Sequence, residues 1–130
     1  LKDIKKHEGF KSTVYQCTEG YDTIGYGFAI KDLKLSKEVC DIILAEKLAK
    51  LQFDINNKFE WFEDSPEIVR NVVTNMCYQL GLTGFSKFKQ TISLLRLGNF
   101  KEAADEMLQS RWSRQTPNRA QKLADIVRNA

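Results

Sequence analysis

Three side chains near the start of the chain could act on one substrate: the carboxyl of Glu8, the thiol of Cys17 and the hydroxyl of Thr23. A carboxylic acid can protonate a leaving group, while a thiolate or a held water acts from the other side. Residues 3–8 are short and charged around Ile4, and Gly9 follows as it would at the C-terminal cap of a brief helix. Glu8 then ends that helix and meets the negative pole of its dipole, which favours the protonated form and suits general-acid work. With the hairpin turn placed at Gly20, positions summing to 40 face each other. Cys17 and Thr23 become a cross-strand pair with β-carbons about 5 Å apart. The short link from Gly9 to Tyr15 can bring Glu8 to the same surface. Each residue also has an ordinary reading: a solvated glutamate, a small strand thiol, and a threonine following β propensity.

Other chemistries fit less well. Cys17, Cys40 and Cys77 are an odd number in no metal-ligand spacing, and His7 is the only histidine, so a zinc cluster lacks ligands and the thiols read as reduced. A Ser–His–Asp or Cys–His triad would need His7, which precedes every candidate nucleophile on a charged helix. Gly25-Tyr26-Gly27 offers neither the third glycine nor the helix start of a nucleotide loop. The net charge of +3 is uneven, with Arg111, Arg114, Arg119, Lys122 and Arg128 against Asp125 in residues 111–128. An anionic partner is allowed, but Glu102, Asp105 and Glu106 just upstream dilute any basic face, so nucleic acid is not the expected partner.

The elements that must position these groups follow from length and periodicity. At 130 residues, 42% apolar and 28% charged, the chain is expected to form one globular domain, and disorder is excluded. No uncharged apolar run approaches the ~18–20 residues of a membrane span. Leu1 in place of Met reads as a chain cut upstream. From Val14 to Ile30, Tyr, Val, Thr, Ile and Phe broken by glycines predict a small hairpin-like sheet. Ser36 caps a long connecting helix with Val39, Ile42, Ile43, Leu48, Leu51 and Ile55 at helical spacing. Ser65-Pro66 supplies a cap and a first-turn proline for a buried helix ended by Gly81. Helices follow from about Phe88 to Leu97, stopped by Gly98, and from Asn99 through Leu108. Thr116-Pro117 caps a last one carrying Ala120, Leu123 and Ile126. The class is α+β: a small N-terminal β lobe with its connecting helix, about 1–58, and a helical lobe, about 59–130. A ligand groove is expected where such lobes meet.

These residues also carry a resemblance. His7-Glu8-Gly9-Phe10 and Tyr15-Gln16-Cys17-Thr18-Glu19-Gly20-Tyr21-Asp22-Thr23-Ile24-Gly25-Tyr26-Gly27 resemble the active-site segment of phage lysozymes of the T-even type. The stretch from Asn75 to Gly81 with Thr83-Gly84 is similar to that family's central helix and the turn after it, and residues 110–120 to its Ser-Arg-Trp…Gln-Thr-Pro-Asn-Arg-Ala segment. The resemblance implies a lysozyme-like fold and a muramidase that hydrolyses the β-1,4 bond from N-acetylmuramic acid to N-acetylglucosamine in peptidoglycan during host lysis. It implies no cofactor and no metal, a monomer acting on glycan strands, synthesis in the bacterial host cytoplasm, and action in the periplasm after export or holin-dependent release. By position, Glu8 would be the general acid, Cys17 would stand where the family usually has its catalytic aspartate, and Thr23 would help hold the attacking water. Ala29, Tyr78 and Thr91 fall at sugar-contacting positions, Arg119 where an arginine pairs with the acid, and Arg111 and Gln115 beside the same groove. Phe28 stands where better-known members have a histidine, and Glu106 where they have a polar sugar contact. Should Cys17 play no part, Glu19 and Asp22 are the nearby carboxylates. Loss of the aspartate leaves two further readings, a catalytically impaired peptidoglycan binder and a lytic transglycosylase.

Overall fold

The computed structural model describes residues 2–130, and Leu1, read above as a cut terminus, lies outside them. The chain divides into two compact units, Leu1–Ile42 and Ile43–Ala130. Among the described residues there are seven α-helices and one three-stranded sheet, an α+β arrangement as the sequence predicts.

In the first unit, helix α1 (Lys2–Glu8) ends as expected: Gly9 takes φ +68° and its N–H donates to Lys5 O at 2.9 Å. Strands β1 (Lys11–Gln16), β2 (Asp22–Gly25) and β3 (Phe28–Ala29) form an antiparallel sheet in the order β1-β2-β3, followed by a single 3-10 turn at Ile30–Asp32. The register differs from the one expected. Tyr15 faces Thr23 and Gln16 faces Asp22, so facing positions sum to 38 and Cys17 is not opposite Thr23. The loop explains the difference. Gly20 N–H donates to Cys17 O, Cys17 N–H donates to Tyr21 O, both at 2.9 Å, and Gly20 has φ +84°. Gly20 is therefore the last residue of a three-residue loop, the position that demands a left-handed backbone, and not its centre. A further shift lies between Lys11 and Tyr15. Thr23 is the only buried side chain described in this unit. Its remaining order comes from aromatic contacts: the Tyr26 ring lies 5.4 Å from Phe10 and 6.5 Å from Phe28, with the Lys5 ammonium 5.5 Å over it.

Helix α2 (Lys37–Lys58) crosses the division and is capped as predicted, Val39 N–H donating to Ser36 Oγ at 3.1 Å. Of its predicted apolar stripe, only Ile55 is fully buried, while Val39, Ile42 and Ile43 are exposed. The second unit continues with α3 (Glu67–Ser86), α4 (Lys89–Leu97), α5 (Phe100–Leu108), α6 (Arg111–Gln115) and α7 (Pro117–Arg128). Its core joins Ile55 and Phe62 to Val69, Val73 and Met76 of α3, Leu95 of α4, Met107 of α5 and Val127 of α7. Aromatic rings run through it from Trp61 to Phe59, Phe85, Phe88 and Trp112 with centroids 5.4–6.1 Å apart.

Helix ends here are partly as predicted. Gly98 stops α4 with φ +77°, and Pro117 opens α7. Ser65, however, does not cap α3: its hydroxyl turns back to donate to Trp61 O at 2.8 Å, and Pro66 takes the cap position itself. Gly81 breaks the helical backbone (φ 76°, ψ 157°), but helix resumes to Ser86, so Thr83-Gly84 lies in helix and not in a turn. Thr116 occupies a cap position without a side-chain bond, and Ala124 and Val127 are buried where Ile126 was expected. The five-residue α6, too short for a periodic signal, is held by Ser110, whose Oγ accepts from Ser113 N–H at 3.1 Å. No described helix is long and apolar enough to cross a membrane.

Candidate active site

Glu8, Cys17, Thr23 and Ala29 all lie in the first unit. Glu8 ends α1 with an exposed side chain, and its carboxyl rests on the backbone of Gly27, so closely that a β-carbon there would collide with it. Gly27 is at φ +75°, a conformation that glycine adopts freely. The glycine serves both to turn the chain from β2 into β3 and to leave room for the acid.

Although the register places Thr23 opposite Tyr15 and not opposite Cys17, the Thr23 hydroxyl is among the groups that favour the thiolate of Cys17. Cys17 is partly buried and its thiol is held below the ordinary thiol range. Hydrogen bonds from the backbone of Tyr21, then of Glu19, are the main causes, with Thr23 adding to them; burial and the Glu19 charge oppose. Thr23 is 3% exposed and donates to Tyr21 O at 2.9 Å. A hydroxyl has one proton, so it can serve the Tyr21 carbonyl or a thiolate at Cys17, but not both at once. Ala29 pairs with Thr23 from β3. Glu19 and Asp22 are both exposed in the same loop region.

The remaining predicted residues lie in the second unit. Tyr78, on α3 and 52% exposed, and Arg119, on α7, line one cavity of about 290 Å³ together with Asn75. Arg119 is fixed by Asn75: its Nε donates to Asn75 Oδ1 at 2.9 Å, and Nη2 donates to Oδ1 at 2.5 Å and to the main-chain oxygen at 3.3 Å. Thr91 is buried on α4 and shares a second cavity, about 420 Å³, with Glu106 and Arg111. Gln115 is exposed on α6. The structure thus places Tyr78 and Arg119 at one cavity and Thr91 at another, while Gln115 lines neither.

Several contributors escape a reading by residue type. Asn75 orients Arg119, and Gln79 accepts from Trp112 Nε1–H at 2.9 Å. Both are polar residues one turn apart beside the apolar stripe of α3, which is the signal that could have singled them out. Gly27 and the Tyr21 backbone act through main-chain geometry, which side-chain chemistry does not announce.

Comparison with known proteins shows the family of the chain. The family model for phage lysozyme matches residues 5–129. The chain is 30% identical to a probable T4-type lysozyme 1 of Dictyostelium discoideum over 158 aligned positions, covering 98% of this chain and 92% of that protein. It is 24% identical to an endolysin of Acyrthosiphon pisum secondary endosymbiont phage 1, covering 88% and 77%. It also matches the pre-baseplate central spike protein Gp5 of Enterobacteria phage T4 at 26% identity, over 95% of this chain but 26% of that protein. The first alignment is longer than this chain, so that relative carries segments without a counterpart here. An acid at a helix end beside a small sheet therefore sits in a chain that belongs to the phage lysozyme family and is a glycoside hydrolase of the lysozyme type.

Proposed function

We propose that the chain is an endolysin-type muramidase that hydrolyses the β-1,4 bond from N-acetylmuramic acid to N-acetylglucosamine in peptidoglycan, with Glu8 as acid and Cys17 and Thr23 as the pair that prepares the attacking water. The observation that carries this reading is the Glu8 carboxyl seated against Gly27 at the end of α1, in the same small unit that holds Cys17 and Thr23. Glycoside hydrolysis needs an acid on the leaving oxygen and a second group to activate water or attack the anomeric carbon. An ordinary thiol, with pKa ~8.5, is only a few per cent ionised at neutral pH. A thiol held below its ordinary range supplies more thiolate where the family resemblance has a carboxylate, which supports the second role for Cys17.

In this reading Glu8 protonates the glycosidic oxygen, Cys17 as thiolate accepts a hydrogen bond from the water, and Thr23 completes the water's orientation. Ala29, Tyr78, Thr91 and Gln115 contact sugar, while Arg119, held by Asn75, pairs with the acid. The enzyme works as a monomer on glycan strands, without cofactor or nucleic acid. It is made in the host cytoplasm and reaches the wall from the inner side by export or holin-dependent release. The test is incubation with purified peptidoglycan followed by mass analysis of the products. Reducing ends are expected. Anhydro ends would make the enzyme a lytic transglycosylase, and absence of products would leave a wall-binding protein.

A further inference from the structure

A groove of about 690 Å³ is built in the second unit from the end of α2, the link to α3, the end of α3, and α4. Phe59 and Trp61 line it with their rings 5.4 Å apart. Both are partly buried, and Phe59 is anchored edge-on against Phe85 of the core at 5.9 Å, so the pair is a rigid apolar floor. Around it stand amides and hydroxyls, among them the exposed Asn57. The charge is one-sided: Lys58, Lys89 and Arg96 face one carboxylate, Glu60, which Arg96 already holds at 2.6 Å.

A fixed aromatic floor suits the C–H face of a pyranose ring, an amide and hydroxyl rim suits its hydroxyls, and surplus cations suit carboxylates on the same polymer. Lys89 lines both this groove and the cavity that holds Thr91, so the two adjoin. We infer that this groove is an accessory site for a carboxylate-bearing glycan strand of the wall, an inference that rests on the substrate class proposed above. Two weak sites on one polymer raise retention through effective concentration without changing the chemical step.

The test separates retention from turnover. Sedimentation with insoluble peptidoglycan stripped of phosphate-bearing polymers is measured for the full chain carrying Glu8→Gln, so that the wall is not digested, with and without Lys58→Ala plus Arg96→Ala. Retention is expected to weaken roughly fivefold, the scale of two exposed ionic contacts. The same pair in the otherwise unaltered chain should leave hydrolysis of a short soluble muropeptide oligomer unchanged. Asn57→Asp, which adds a negative charge at an exposed position, should reproduce the lost retention should the double variant fold poorly. Unchanged retention in a folded variant overturns the inference, and so does a parallel fall in soluble turnover, which would tie the groove to the reacting site. Failure of the functional reading looks different: the unaltered chain would release nothing from soluble oligomer, while retention would still depend on Lys58 and Arg96.

Discussion

Among the described residues the first unit buries one side chain, Thr23, whereas the second buries seventeen apolar ones. Burial contributes roughly 25 cal/mol per Å² of apolar surface, so the second unit is held by its core, and the first relies on glycine turns, sheet hydrogen bonds and exposed rings. Glu8, Cys17 and Thr23 nevertheless all stand in the sparsely packed unit. On the roles proposed above, the reacting groups and the core fall on different stretches of chain, and substitutions of the two kinds should separate into loss of turnover and loss of fold.

The largest effect expected is from Glu8→Gln. Removing the proton donor should lower turnover by roughly 10²–10⁴-fold or more, while the melting temperature stays put because the side chain is exposed. Muropeptide release measured alongside thermal unfolding decides it, and near wild-type turnover would remove Glu8 from the mechanism.

The converse comes from the second unit. Phe85→Ala, at a fully buried ring in the aromatic series, should cost about 3–5 kcal/mol of stability. Phe28→Ala in the first unit, at a ring 48% exposed that makes one edge-on contact to Tyr26, should cost less, roughly 1 kcal/mol. Denaturant titrations of the two variants test the contrast, and equal losses would break it.

Gly27→Ala probes the backbone that seats the acid. The new methyl would meet the Glu8 carboxyl and sit at a positive φ, so the acid must move. A displacement of that kind should cost roughly tenfold or more in turnover. Full activity would show that the seat at Gly27 plays no part in placing Glu8.

The cysteines offer the finest distinction. With Cys17 acting as thiolate, activity should rise with pH below the ordinary thiol range, since its thiol is acidified mainly by the Tyr21 backbone. Cys17→Asp should lose that rise, and Cys17→Ala should be slow at every pH. Burial pushes Cys77 in the opposite direction, to about 12. Its neutral form is the one the folded state holds, so the associated stability is complete below ~8.5, where the unfolded thiol is neutral, and is lost as pH rises through about 12. Iodoacetamide should therefore label Cys17 and Cys40 in the native chain and reach Cys77 only on unfolding. Labelling of Cys77 at native pH, or a fully active Cys17→Ala, would erase the distinction between a reactive thiol and a structural one.

What residue order determined by itself is local: the positive-φ glycines at 9 and 98 that end helices, the Ser36 cap, the α+β class, and the motif segments that identify the family. These rest on contacts within a few residues, which composition and spacing encode directly. Tertiary structure decided the rest. The register depended on Gly20 closing a three-residue loop, because one misplaced turn residue shifts every facing pair. Ser65 had two acceptable partners, and the Trp61 carbonyl brought near by the chain fold took its proton. Arg119 is held by Asn75, 44 residues away, through hydrogen bonds that exist only once α3 and α7 pack together. The lowering of the Cys17 thiol comes from the main chain of Tyr21 and Glu19 in its own hairpin loop, a loop shape that residue types did not announce, whereas the identity of the thiol was legible from the start.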